Sequence, residues 1–305
     1  DNYPCERKTE LSYDYGEIDV EDLIEEEDIV ISITHSGYIK RQPVAEYKAQ
    51  RRGGMGVTAH KPKDEDFVEK LFISSTHDNI LFFSSYGKVY SIKGYEIPEA
   101  QRQARGRAIV NLLQIEQDEK ITAIIPLAKD TTGYIAMATR KGLIKKTALE
   151  EFENIRKVGK IAIKINEGDE LISVQFTTGD DEMIIASKEG KCIRFSERDV
   201  RPMGRDTQGV KAMNLNTDDY LVDMLVVKPD CQILTITSNG YGKRSDVEDY
   251  RLQGRAGKGI KAGVFNDKTG WLVNLKIVNE NEDIMVISNN GTIIRMHVAD
   301  ISMIG

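Results

Sequence analysis

The stretch IVISITHSGYIKR (29–41) begins as an apolar, β-branched run, passes through a polar turn containing Gly37, and ends in a short second run that finishes on cations. The same order of positions recurs in ILFFSSYGKVYSI (80–92), YIAMATRKGLIKK (134–146), MIIASKEGKCIRF (183–195), ILTITSNGYGKRS (233–245) and IMVISNNGTIIRM (284–296). Short apolar runs on either side of a glycine turn predict β-hairpins, because glycine supplies the positive φ that such turns demand. The turn glycines Gly37, Gly87, Gly142, Gly190, Gly240 and Gly291 are separated by 50, 55, 48, 50 and 51 residues. The chain is therefore a repeat.

A second glycine follows each of the first five hairpins. Gly56, Gly106, Gly159, Gly209 and Gly259 stand 19, 19, 17, 19 and 19 residues after the turn glycines. A short strand-like piece comes after each (VTA, RAIVNL, KIAIKI, VKAMNL, IKAGVF), and another apolar run precedes the next hairpin, as in KLFISS (70–75) or ITAIIPL (121–127). Four short strands per repeat and almost no helical periodicity predict an all-β ring of six four-stranded blades over residues 29–305, a β-propeller-like architecture. An irregular sandwich would not hold both glycines in register through five repeats. The sixth repeat reaches only MIG (303–305), so its missing strand is expected from elsewhere. Residues 1–28 are the expected donor, closing the last blade through Ile18, Val20, Leu23 and Ile24.

Charge changes the picture more than composition does. The formal net charge is −7, yet residues 1–28 hold twelve acidic side chains against two basic ones, leaving 37 acids against 40 bases in 29–305. A slightly cationic ring thus carries an acidic entry segment, which reads as a solvated stretch or as a competitor with a polyanion for a basic face. No apolar run approaches the roughly 18 residues a membrane helix needs, and DNYPCERKTE has no signal-peptide core. Cys5, Cys192 and Cys231 are odd in number and far apart, which fits a reducing cytoplasm without a disulfide framework. His35, His60, His77 and His297 have no metal-ligand spacing, so no metal site is expected.

Basic residues recur at two positions in the repeat. One is the hairpin exit: Lys40 and Arg41, Lys88 and Lys93, Lys145 and Lys146, Lys191 and Arg194, Lys243 and Arg244, and Arg295. The other is the approach to the second glycine: Arg51 and Arg52, Arg102 and Arg105, Arg156 and Lys157, Arg201 and Arg205, Arg251 and Arg255, with Arg107 and Lys258 directly beside the glycine. Equivalent positions in a ring of similar blades lie on one circle, so the repeat predicts a cationic belt. Such a belt suits duplex DNA, which carries about one negative charge per 1.7 Å of axis. Arginine offers bidentate phosphate contacts, and neighbouring glycines let backbone N–H groups come close. Aromatic residues show no stacking-platform spacing, which disfavours single strands. No Gly-Lys-Ser/Thr follows the glycine-rich loops, and no nucleophile–base set emerges, so no catalytic residue is expected. A protein-binding propeller of the WD40 or kelch kind is the rival of another class. Its per-blade signatures are missing, and Trp271 is the single tryptophan.

With these residues in view, the chain resembles the C-terminal domain of the DNA gyrase A subunit over essentially its whole length. HSGYIKR (35–41), MGRDTQGV (203–210) and above all QRRGGMG (50–56) carry the likeness. The last resembles that family's seven-residue box: Gln50, Arg51, Arg52, Gly53, Gly54 and Gly56 match, and Met55 stands where the family has a basic residue. The resemblance implies a six-bladed β-pinwheel whose blades exchange a strand. It implies that duplex DNA wraps around the rim, sequence-independently, to give an ATP- and Mg²⁺-dependent holoenzyme its handed strand passage and negative supercoiling. The implied partners are double-stranded DNA, the ATPase B subunit, plus the rest of the gyrase A chain, with no cofactor in this domain. The C-terminal domain of a topoisomerase IV A-type subunit is the alternative within the same superfamily. The cleavage tyrosine and metal site of such enzymes belong to other domains.

Overall fold

A computed structural model of the chain describes residues 20–44, 66–101, 103–288 and 293–305. Six small antiparallel sheets follow one another, each begun by one of the predicted hairpins. The hairpin strands are β1 (Asp28–Thr34) with β2 (Tyr38–Pro43), β4 (Asn79–Ser84) with β5 (Lys88–Lys93), and β8 (Tyr134–Thr139) with β9 (Leu143–Ala148). The series continues with β12 (Glu182–Ser187) and β13 (Lys191–Ser196), β16 (Gln232–Thr237) and β17 (Gly242–Asp246), and β20 (Asp283–Ile287) and β21 (Ile293–His297). A third strand pairs with the first hairpin strand of its own repeat: β3 (Val68–Ser75), β7 (Ile121–Leu127), β11 (Leu171–Thr177), β15 (Leu221–Val226) and β19 (Leu272–Val278). Four of these, β7, β11, β15 and β19, pack side by side from blade to blade and wall the axis of the ring.

The fourth strand of each blade comes from the following repeat. Two-residue strands β6 (Arg107–Ala108), β10 (Lys160–Ile161), β14 (Val210–Lys211) and β18 (Ile260–Lys261) pair with β2, β5, β9 and β13 of the blade before them. The exchange explains the second glycine. A Cβ on Gly209 would sit 2.5 Å from the Ile144 carbonyl oxygen of the preceding blade, and the residue holds φ +90°, so only glycine fits. The expectation of six four-stranded blades needs correction. Among the described residues four sheets have four strands, the fifth has three and the sixth is a two-stranded hairpin.

Hairpin strands of the second to fifth blades are covered on both faces, because each of these blades lies between two others; in the sixth hairpin Met285 and Ile294 are exposed. Alternate residues therefore serve different interfaces. Ile80 and Phe82 of β4 join Ile29, Ile31 and Ile39 of the first blade, while Leu81 and Phe83 join Ile135 and Met137 of the third. The next interface pairs Ala136, Ala138 and Ile144 with Met183, Ile185 and Phe195, and the one after it pairs Ile184 and Ala186 with Ile233 and Leu275. This two-sided burial is why the strands read as continuous apolar runs instead of alternating ones.

The described part of the entry segment, residues 20–27, packs at the junction of the first two blades. Val20–Leu23 forms a 3-10 turn, and the residues after it lie against the start of the second blade. Thr76 Oγ1 donates to the Glu25 carbonyl (2.9 Å), the Glu27 N–H donates to Thr76 Oγ1 (3.0 Å), and Lys93 Nζ donates to Glu21 (3.1 Å). Val20 and Leu23 are 62% and 75% exposed, so neither supplies a buried strand position, and the Ile24 carbonyl is held by His77. Electrostatic and backbone pairing to Lys93, His77 and Thr76 wins over the apolar side chains. Ile18 lies outside the described residues.

Candidate nucleic-acid interface

The cations predicted for a single belt separate into two sets. Several of those at the hairpin exits are turned in between the blades. Lys40, Lys145, Lys146, Arg194 and Arg244 are all buried, and Lys145 is fully so. They sit in the middle of strands whose two faces are both covered. Each donates to backbone carbonyls of the following repeat. Lys40 Nζ donates to the Gln101 and Ala104 carbonyls (3.1 and 2.9 Å). Lys145 Nζ donates to the carbonyls of Ala162 (2.7 Å) in its own repeat and Thr207 (3.3 Å) in the next, so it ties the two together. Burial, with Arg205 nearby adding to it, pulls the Lys145 ammonium down to about 8.

Arg41, Lys146, Arg194 and Arg244 occupy one equivalent site, each next to a parallel bridge to the following repeat: Glu99, Pro202, Leu252 and Met303. Their heads cap a short 3-10 turn there. Arg41 Nε donates to the Ile97 carbonyl (2.8 Å), Lys146 Nζ to Glu197 (3.0 Å), and Arg244 Nε to Ile301 (2.8 Å). Arg194 reaches the Val247 and Tyr250 carbonyls (3.1 and 3.2 Å) and the Glu182 carboxylate (2.6 Å). The Ile97, Tyr250 and Ile301 carbonyls just past the turn carry partial negative charge that a cation satisfies, while the Glu197 and Val247 carbonyls at its start also accept a backbone N–H. These residues are clips between blades. Arg41, Lys40, Lys145, Lys146, Arg194 and Arg244, expected on the rim belt, are thus placed between blades with donors committed to backbone carbonyls. The second blade shows the alternative solution. Tyr90 and Ser91 stand at its two clip positions, Tyr90 donates to Glu119 (2.8 Å), and Phe152 and Ile155 fill the interface instead.

Other hairpin-exit cations are tied to surface carboxylates. Lys88 pairs with Glu116, Lys191 with Glu189 (3.7 Å) and Arg295 with Asp283. Lys243 remains half-buried at the open side of β17.

The cations around the second glycine lie on the rim. Arg107, Arg156, Arg201 and Lys258 are exposed and have no hydrogen-bond or ion-pair partner among the described residues. Arg105 is exposed, with its guanidinium 3.9 Å above the Tyr38 ring and 3.7 Å from Asp66. Lys157 pairs with Glu96 at 2.7 Å with half of its side chain exposed. Arg205 and Arg255 are partly spent: Arg205 donates to the Ile161 carbonyl (3.0 Å), and Arg255 to those of Asp199 (3.2 Å) and Lys211. Gln50, Arg51, Arg52, Gly53, Gly54, Met55, Gly56 and Arg102 lie outside the described residues.

Sequence reasoning missed one rim set. The donated strands β6, β10, β14 and β18 each carry one exposed cation: Arg107, Lys160, Lys211 and Lys261. Only the first was among the candidates. The signal was available, since each lies one or two residues after the second glycine. These strands are the outermost of their sheets, so their cations recur once per blade on the perimeter. An exposed cation on an edge strand also discourages edge-to-edge pairing.

Small antiparallel blades, a strand passed to the preceding blade, and rim cations once per repeat define a strand-exchanging β-propeller with a basic perimeter. The family model of the DNA gyrase C-terminal domain, a β-propeller, matches residues 28–75, 78–128, 133–178, 181–228, 232–279 and 282–305, and the chain belongs to that family. It is similar to the DNA gyrase A subunit of Halalkalibacterium halodurans (56% identical, 100% of this chain and 37% of the relative). For the DNA gyrase A subunit of Escherichia coli K12 the corresponding figures are 48%, 98% and 34%. The chain thus spans about a third of the length of these relatives. Among solved structures, a gyrase A C-terminal domain superposes with a TM-score of 0.69 at 31% identity, covering 92% of both chains. The C-terminal domain of a DNA topoisomerase IV superposes with a TM-score of 0.81 at 25% identity, covering 92% of this chain and 87% of the other. Among the described residues no helix is long and apolar enough to cross a membrane, and no group of three His, Cys, Asp or Glu could hold a metal.

Proposed function

We propose that this chain is the DNA-wrapping module of a gyrase A subunit: it binds duplex DNA along its rim without reading sequence and bends it around the ring. One observation carries the reading. Exposed cations recur at equivalent rim positions of successive blades, Arg107, Lys160, Lys211 and Lys261 among them, while the hairpin-exit cations other than Lys243 are consumed inside or by carboxylates. A circle of charges with no acidic partner to displace meets a phosphate backbone at little desolvation cost, and counterion release supplies the affinity. Backbone contacts of this kind position DNA but carry no sequence information.

The same circle accounts for bending. Smooth curvature of a 20–30 bp site by 40–90° costs on the order of 1–6 kcal/mol. Charges spaced around a rigid ring offset that cost only if the DNA follows their arc. The chain itself supplies no catalysis in this reading. It works within a type IIA topoisomerase in which the B subunit hydrolyses ATP with Mg²⁺ in the cytoplasm, and the wrap sets the hand of strand passage. Residues 20–27 of the acidic entry segment, docked through Glu21 on Lys93, lie at the junction of the first two repeats. A topoisomerase IV origin has the higher TM-score in its favour, but sequence identity and the near-complete box at 50–56 favour gyrase.

The test is gel-shift titration of unrelated duplexes over a salt series. The expected result is similar affinity for every sequence, with log K falling against log salt by several units at about 0.9 per phosphate contacted. A flat salt response, or preference for one sequence, contradicts the proposal.

A further inference from the structure

The rim leaves one feature of the ring unused: a cavity of about 480 Å³ on the axis, where the third strands converge. Thr122–Pro126 of β7, Ile172–Phe176 of β11, and residues of β15 and β19 wall it, with Lys70 of β3 at its side. Three charged side chains line it: Lys70, Asp223 and Lys276. Lys70 is half-buried and its ammonium has no ion-pair or hydrogen-bond partner among the described residues. Burial holds it below the usual lysine range; the neighbouring Glu69 carboxylate opposes this in part, and repulsion from Lys276 adds to it. Lys276 stands 3.7 Å from Asp223. With one carboxylate against two ammoniums, the lining of the cavity carries an excess positive charge.

The polar lining is incomplete in the same place. Asn274 lines the cavity, and its Oδ1 is buried with no hydrogen-bond partner. A half-turn of that amide presents two N–H donors instead. We infer that this axial cavity is a binding site for a small protonated oxyanion of the phosphate type, held between Lys70 and Lys276. The volume admits such an ion with water but no duplex, so the ligand is free in solution and separate from any DNA bound on the rim.

Asp223 sets which oxyanion is accepted. Its Oδ1 is occupied by Ser173 Oγ (3.0 Å) and the Met224 N–H (2.8 Å), and its Oδ2 faces Lys276. An ionised carboxylate only accepts hydrogen bonds. Phosphate keeps at least one O–H near neutral pH and can donate it to Asp223, with the ammoniums on its remaining oxygens. Sulfate has no proton to give and places lone pairs against lone pairs. Selectivity then comes from a repulsive element as much as an attractive one. Burial raises the Asp223 carboxyl above its ordinary value. As the pH falls and Asp223 takes up a proton, discrimination against sulfate weakens.

Calorimetric titration of the 305-residue chain with inorganic phosphate and, separately, sulfate at constant ionic strength tests this. The expected result is saturable phosphate binding, with sulfate weaker by about tenfold or more. Lys70→Met should cut phosphate affinity about tenfold or more, and Asp223→Asn should bring the two anions to within about threefold. A rim variant lacking the Arg107, Lys160, Lys211 and Lys261 charges should bind phosphate as the parent does. The inference is overturned by equal binding of the two anions to the parent chain, by loss of phosphate binding in the rim variant, or by no saturable phosphate binding. If Lys70→Met fails to fold, the anion comparison and the rim variant still decide.

Discussion

Replacing Arg194 with methionine should lower the stability of the chain by about 2–4 kcal/mol, the range expected when buried hydrogen-bonding groups lose their partners. Methionine roughly keeps the side chain's volume, so the loss isolates the donors. The Val247 and Tyr250 carbonyls lose their side-chain donor, and Glu182 loses a 2.6 Å contact. The junction between the fourth and fifth blades is therefore the place to open first. Urea unfolding followed by circular dichroism measures the change. Under conditions where the variant stays folded, its duplex affinity and salt slope should match the parent's. Arg201→Met, on an exposed residue without a partner among the described residues, should change stability by less than about 0.5 kcal/mol. A weaker DNA complex with unchanged stability in the Arg194 variant would move that residue from clip to rim.

The opposite pattern is expected of the outermost strands. Changing Arg107, Lys160, Lys211 and Lys261 together to glutamine should leave the unfolding midpoint nearly unmoved, because the four are exposed. Binding should suffer heavily. Each phosphate contact contributes about 0.9 to the salt slope, so losing four should reduce it by roughly 3–4 units and weaken all duplexes alike. Competition titrations at several salt concentrations measure both quantities. An unchanged slope would mean that the DNA runs elsewhere on the ring.

These two results depend on a distinction that residue type alone does not make. Hairpins, third strands and both glycine series were legible because their causes are local: a turn needs positive φ, and a two-sided strand needs an unbroken apolar run. The direction of strand exchange was not, since VKAMNL pairs as readily with its own hairpin as with the previous one until Gly209 is seen against the Ile144 carbonyl. The clips were legible in principle. Lys145 and Lys146 are adjacent in the middle of β9, so they point to opposite faces, and a blade between two others has no wet face for either. As charges alone, they look like part of the belt. As strand positions, they must be buried and capped. The docking of residues 20–27 depended on Thr76, His77 and Lys93, partners some fifty to seventy residues away in sequence that no local pattern announces.

Bending around the ring is the claim on which the functional account stands, and linking number reads it directly. A nicked plasmid is incubated with increasing amounts of the chain, sealed with ligase, freed of protein and resolved by gel electrophoresis. DNA that follows the rim of a ring of one hand is trapped with writhe of one sign. The account predicts a topoisomer distribution that shifts steadily in a single direction as protein is added, and a much smaller shift with the four-glutamine rim variant. Full occupancy of the plasmid with its distribution centred where it lies without protein would show that the domain binds DNA but does not wrap it.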